Sequence, residues 1–248
     1  YWGLALLRLA ALGLAAYDMY LYSRVAEYEY EPSPVRSARE LVVRPFREKL
    51  YLRTVALTVL WNLSANIPGA YYTVYMLKNM EVSYSYLMLI SMLNVPIVLL
   101  LTPLWRRVLT RFGWFRTLYT SMGLYLLYLV GLAFVTRQSM VLYPISLIWA
   151  FLMAIGINLS FSGIPYVNMP KKNQTVFIGF YATAANCAAL VGVTIGKYFV
   201  LWTEGHSITL LGITMVNKQY LMLLTAFMMA LSAIGIWRIH KRTPESES

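Results

Sequence analysis

Seven stretches of about 20 mainly apolar residues punctuate this chain, and each is long enough for a helix to cross the hydrocarbon core of a bilayer. They run over 1–22, 54–77, 86–105, 117–136, 142–164, 176–201 and 220–237. Only helices and closed barrels satisfy every backbone group in lipid. Runs of this length therefore predict an all-α membrane protein. Composition agrees: 12% of the residues are charged, against about 25% in soluble domains, and mean hydropathy is +0.58.

The polar residues between the runs set the expected organisation. Residues 23–53 hold Pro32, Pro34 and Pro45 among many charges. They read as a linker with a short amphipathic helix near 38–50. A six-helix transmembrane bundle is expected over 54–238 and a polar tail over 239–248. Residues 1–22 are expected to be the end of a preceding membrane helix, because no n-region precedes the apolar run and the chain opens Tyr-Trp-Gly.

The net charge of +11 is distributed as membrane topology requires, not as a nucleic-acid footprint. Arg24, Arg36, Arg39, Arg44, Arg47, Lys49, Arg53, Arg106, Arg107, Arg111, Arg116, Lys171, Lys172, Arg238, Lys241 and Arg242 fall on one side of the expected spans. Lys78, Arg137, Lys197 and Lys218 fall on the other. The positive-inside rule makes the first side cytoplasmic, with the C-terminus inside. Membrane lipid is then an expected partner and nucleic acid is not.

Catalytic machinery is sparse. Cys187 is the lone cysteine, and His206 and His240 have no spaced metal partner. Phosphate-binding glycine loops and nucleophile elbows are absent. No cofactor, metal or enzymatic activity is expected. Of the three Asn-X-Ser/Thr triplets, at Asn62, Asn158 and Asn173, two fall within spans and one in a cytoplasmic loop, where glycosylation is not expected.

Uncharged polar residues beside helix breakers are the more informative feature. Asn62, Ser64, Asn66, Pro68 and Gly69 cluster in one run. Asn62 and Asn66 are four apart and share a helix face. Pro68 removes the backbone hydrogen bond to Ser64 and should kink the helix. Such backbone is tolerated at membrane depth where it packs on protein or lines a watery cavity. Asn94 with Pro96 and Asn158 with Pro165 repeat the pattern, and Asn186 stands alone in its run. Asn62 and Asn66 suit either interhelical hydrogen bonds or a solute-binding wall. For Asn158 and Asn186 packing is the simpler account. Tyrosines and tryptophans near span ends suit an interfacial belt, with Tyr71, Tyr72 and Tyr75 as alternative cavity residues. The small residues from Gly179 to Gly196 predict close helix packing. Arg8, inside the first run, is either a functional charge or a side chain that snorkels to the interface.

The loop from Pro103 to Arg116, reading PLWRRVLTRFGWFR, resembles the signature loop of the major facilitator superfamily, which reads Gly-x-x-x-Asp-Arg-x-Gly-Arg-Arg. Arg111, Gly113 and Arg116 match its later part. Arg106 stands in place of its Gly and Thr110 in place of its Asp. The run from Trp61 to Leu77 is similar to a seventh helix of bacterial members, and 169–175 to their loop between helices ten and eleven. The resemblance covers nearly the whole chain. It implies the C-terminal half of a twelve-helix transporter, from the end of helix six through helix twelve, whose N-terminal half is missing from this sequence. It further implies alternating access about a midplane site, with a small-molecule solute held by Asn62, Asn66, Tyr71, Tyr72 and Asn158. Two other readings carry weight: a stand-alone helical membrane assembly protein whose polar residues only join helices, and, less well supplied with residues, a membrane enzyme.

Overall fold

The computed structural model describes residues 2–24, 38–69, 71–170, 174–210 and 213–242. They belong to two compact units, Tyr1–Arg36 and Ser37–Ser248. The first unit contains α1 (Trp2–Ser23), which covers the first apolar run and carries Arg8. The part of the expected linker at 25–37, the loop residues 171–173 with Lys171 and Lys172, and the tail at 243–248 lie outside the described residues.

Among the described residues the second unit is helical apart from one small hairpin. It begins with α2 (Ala38–Arg47), on the stretch expected to be amphipathic. Then come α3 (Lys49–Asn66), α4 (Tyr71–Val74, continued as a π-helical turn over Tyr75–Asn79), α5 (Tyr84–Met92), α6 (Asn94–Phe112) and α7 (Trp114–Ala133). The long helices α8 (Leu142–Val167), α9 (Gln174–Trp202) and α10 (Asn217–Arg242) complete it. Between α9 and α10, β1 (Ile208–Leu210) pairs antiparallel with β2 (Ile213–Met215), Ile208 opposite Met215. This hairpin occupies a stretch expected to be a plain connection.

Four stretches of the second unit are long and apolar enough to cross a membrane: Tyr84–Phe112, Leu142–Tyr166, Gln174–Trp202 and Asn217–Arg238. That is the signature of a multi-pass membrane protein, and it corrects the expectation of six complete spans. The two that fall short have physical reasons. The stretch expected over 54–77 is not one helix, because α3 stops at Asn66 after 18 residues and carries Arg53, Asn62 and Asn66. In α7 the apolar residues are diluted by Arg116 and by repeated Tyr, Thr and Ser.

The helix breaks follow local chemistry. Pro68 cannot donate a backbone bond, and Gly69 adopts φ +49°, a region that disfavours a Cβ. The chain there turns through Ile67 N–H to the Ser64 carbonyl (3.4 Å) and Gly69 N–H to the Asn66 carbonyl (3.2 Å). Pro96 acts similarly from the first turn of α6, and the chain bends at Leu93. Gly113, at φ +79°, joins α6 directly to α7. The glycine of the resemblance loop thus serves the turn itself.

Packing centres on α3, α7, α8 and α10. Helix α7 lies between α8 and α10, α3 packs on α9 and α10, and α6 packs on α8. Gly192 and Gly196 of α9 face the backbone of α3 so closely that a Cβ on either would overlap the carbonyl of Leu63 or Ile67. Here the small residues of α9 do serve close packing. Ser64 on α3 and Ser232 on α10 share a hydrogen bond of 2.9 Å. Trp61 is not an interfacial residue: it packs inside on Tyr125 and Phe161, with ring centroids 5.9 and 5.8 Å away.

At one end of the bundle, Asn79 receives hydrogen bonds from Arg137 (3.5 Å, on its carbonyl) and Lys218 (3.2 Å, on its side chain). Arg137 also pairs with Glu81 at 2.9 Å. Three loops distant in sequence therefore meet there. At the other end the Asn168 amide donates to Thr54 Oγ1 (3.1 Å), and the Tyr51 hydroxyl donates to the Phe177 carbonyl.

Candidate functional site

The break between α3 and α4 does more than bend the chain. Where α3 stops, the following turn leaves a chamber of about 340 Å³ walled by α4, α5, α7, α8 and α10. Asn66, Pro68 and Gly69 form one edge, and Tyr72 and Thr73 of α4 continue it. Tyr125 and Tyr128 face it from α7, Tyr143 and Phe151 from α8, Ser91 from α5, and Met222 and Thr225 from α10. A volume in the low hundreds of Å³ suits a small solute.

The rings are held by one another. Tyr72 stacks on Tyr143 at 6.2 Å and 18°, Tyr86 contacts the far side of the group at 6.2 Å from Tyr143, and Tyr125 meets Tyr128 edge to face at 5.0 Å. Each such pair adds roughly 0.5–1.5 kcal/mol beyond the area it buries. The wall is therefore firm, while the hydroxyls of Tyr125, Tyr128 and Tyr143 have no hydrogen-bond partner among the described residues.

Helix α7 ends beside the chamber, where Leu132, Ala133 and Val135 are buried, and its terminal carbonyls need donors. They come from side chains. The Tyr72 hydroxyl donates to the Leu132 carbonyl (3.4 Å), Gln219 Nε2 to Ala133 (2.8 Å), Ser139 Oγ to Phe134 (2.8 Å) and Tyr75 to Val135 (2.9 Å). Gln219 also reaches Val135 at 3.2 Å, while its Oε1 accepts from the Val216 N–H at 3.0 Å. One glutamine thus caps the end of α7 and the start of α10.

The expected site residues divide. Asn66 and Tyr72 line the chamber. Asn62 does not: its amide donates to the Thr58 carbonyl one turn back (3.0 Å). Asn66 makes the equivalent bond to Asn62 (2.7 Å), but the helix ends there and among the described residues nothing donates to its Oδ1. Tyr71 is half-buried outside the lining, and Asn158 is exposed on α8. Tyr75 serves the end of α7. The loop residues Arg111 and Arg116 are exposed, both with guanidinium groups over the Phe112 ring, at 5.5 and 5.3 Å. Arg8 belongs to the other unit.

Sequence reasoning missed Tyr125, Tyr128, Tyr143, Thr73, Ser91 and Thr225. A signal existed for the first two, which are three apart and so share a face of α7. They also lie well inside the helix, away from the ends where an interfacial belt would place them. Among the described residues no charged side chain lines the chamber and no group of three His, Cys, Asp or Glu could hold a metal. The chamber offers hydrogen bonds and aromatic faces. Comparison with protein-family models, curated proteins and solved structures finds no match to this chain.

Proposed function

We propose that this chain belongs to a solute transporter of the alternating-access type, as its resemblance to the major facilitator superfamily implies. The observation that carries the reading is the chamber at the α3–α4 break. Polar, uncharged side chains gather there inside helices whose outer faces, such as Leu99, Leu100, Leu190 and Trp202, are apolar and exposed. Polar groups inside a membrane bundle are costly unless they bond one another or serve a passing solute. On this reading the bundle is one wall of the pathway, the N-terminal half of the same protein supplies the other, and the Arg-rich loop faces the cytoplasm. Transport is either facilitative or secondary-active. Tyr72 and Asn66 are the residues carried over from the family resemblance.

The test is uptake by the full-length protein in proteoliposomes. Asn66→Ala and Tyr72→Phe should slow uptake about tenfold, while Asn62→Ala, which does not reach the chamber, should leave it within about twofold. Equal effects at Asn62 and Asn66 would sink the assignment of the site. The competing reading, an assembly protein whose polar residues only join helices, has the Ser64–Ser232 bond in its favour. It predicts no uptake of any solute.

A further inference from the structure

We infer that the chamber selects an uncharged solute bearing several hydroxyl groups and one apolar face, in the chemical class of small polyols and monosaccharides. This rests on the transport reading above. Three features of the wall converge on it.

The first is charge. No carboxylate, ammonium or guanidinium lines the chamber among the described residues. An ionised solute entering it would lose its hydration with no counter-ion to replace it, a cost that exceeds what neutral hydrogen bonds return.

The second is the balance of donors and acceptors. Ser91 and Thr225 have committed their protons to the carbonyls of Leu87 (2.8 Å) and Leu221 (2.7 Å), and Asn66 has committed one of its two amide protons to Asn62 while keeping its Oδ1 as an acceptor. These three present acceptors. The hydroxyls of Thr73, Tyr125, Tyr128 and Tyr143 have no hydrogen-bond partner among the described residues, although Tyr143 is only 6% exposed. A hydroxyl donates or accepts at need. With Tyr72, whose proton goes to the Leu132 carbonyl, the wall holds four acceptors and four adaptable hydroxyls, and it fits a ligand rich in O–H donors. It fits an oxoanion, which only accepts, poorly.

The third is the aromatic surface. Stacked and edge-on tyrosines present ring faces as well as hydroxyls. A monosaccharide has the same two-sided character, with hydroxyls around its rim and C–H groups across one face. A quaternary ammonium would also favour ring faces, but it would lack a counter-ion. It is the natural opposing arm of the test.

The experiment is thermal unfolding of the purified full-length protein with D-glucose, myo-inositol, tetramethylammonium or glutamate, each titrated to saturation. A bound solute raises the unfolding temperature by mass action. Sugars also stabilise proteins without binding, through exclusion from the surface, so saturation and variant sensitivity decide. A saturable rise with glucose or inositol is expected, its midpoint shifted about tenfold by Tyr128→Phe and by Thr73→Val. Saturable stabilisation by tetramethylammonium or glutamate would overturn the inference. So would a sugar effect that never saturates and is identical in both variants. Saturable sugar binding without uptake into proteoliposomes would instead remove the transport reading and leave the chemistry of the chamber intact. Uptake of a charged solute would do the reverse.

Discussion

The helix that opens the second unit's bundle meets its neighbours in two opposite ways. At its C-terminal end α3 lies against α9 backbone to backbone, because Gly192 and Gly196 remove the side chains that would hold the helices apart. Past Pro68 the same run of chain stands off from α7, α8 and α10, and tyrosines prop the gap open. The first contact leaves no room and the second keeps some. Small residues at the seam gain van der Waals contact over a long line, which is the main source of helix association in lipid. Large aromatic residues at the chamber bond one another and leave a void at the centre. Close packing and an internal site are thus divided between successive parts of one run.

That contrast can be broken by substitution. Gly196→Leu forces a side chain into the Ile67 backbone, which cannot rotate away as a side chain would. It should destabilise by about 3 kcal/mol, read as a lower unfolding temperature in detergent. Gln219→Leu strips a donor from the end of α7 and an acceptor from the start of α10. A loss of about 2 kcal/mol is expected, and a value near zero would mean that water reaches those carbonyls. Ser232→Ala removes one interhelical bond to Ser64 and should cost about 0.6 kcal/mol. Tyr125→Phe removes a hydroxyl with no hydrogen-bond partner among the described residues, so stability should change by less than about 0.5 kcal/mol. A large loss at Tyr125 would show that the chamber is a packed core after all.

The sequence made the helices legible because apolar runs of this length have few alternatives. The kink was legible too, since Pro68 and Gly69 act through their own backbones. Less could be read where a result depended on neighbours. Asn62 and Asn66 look equivalent by spacing, yet only the second reaches the chamber, because the helix ends beneath it. Tyr125 and Tyr128 share a face by spacing, but what that face meets depends on α7 lying between α8 and α10. The expected six crossings became four for a related reason. Tyrosine and threonine lower the hydropathy of α7 on any scale, yet Thr117 and Ser121 are buried against protein. Asn158 was placed by pattern on the wall, but α8 lines the chamber with Tyr143, Leu147 and Phe151 and leaves Asn158 exposed.

The four carbonyls at the end of α7 have an evolutionary consequence. Their donors come from Tyr72, Tyr75, Ser139 and Gln219, which lie in three separate parts of the chain. No local sequence rule specifies that helix end. A lineage that loses one donor must recruit another or shorten the helix. Among descendants of this chain, positions 72, 75, 139 and 219 should therefore co-vary with the length of α7, as distant letters of a single word.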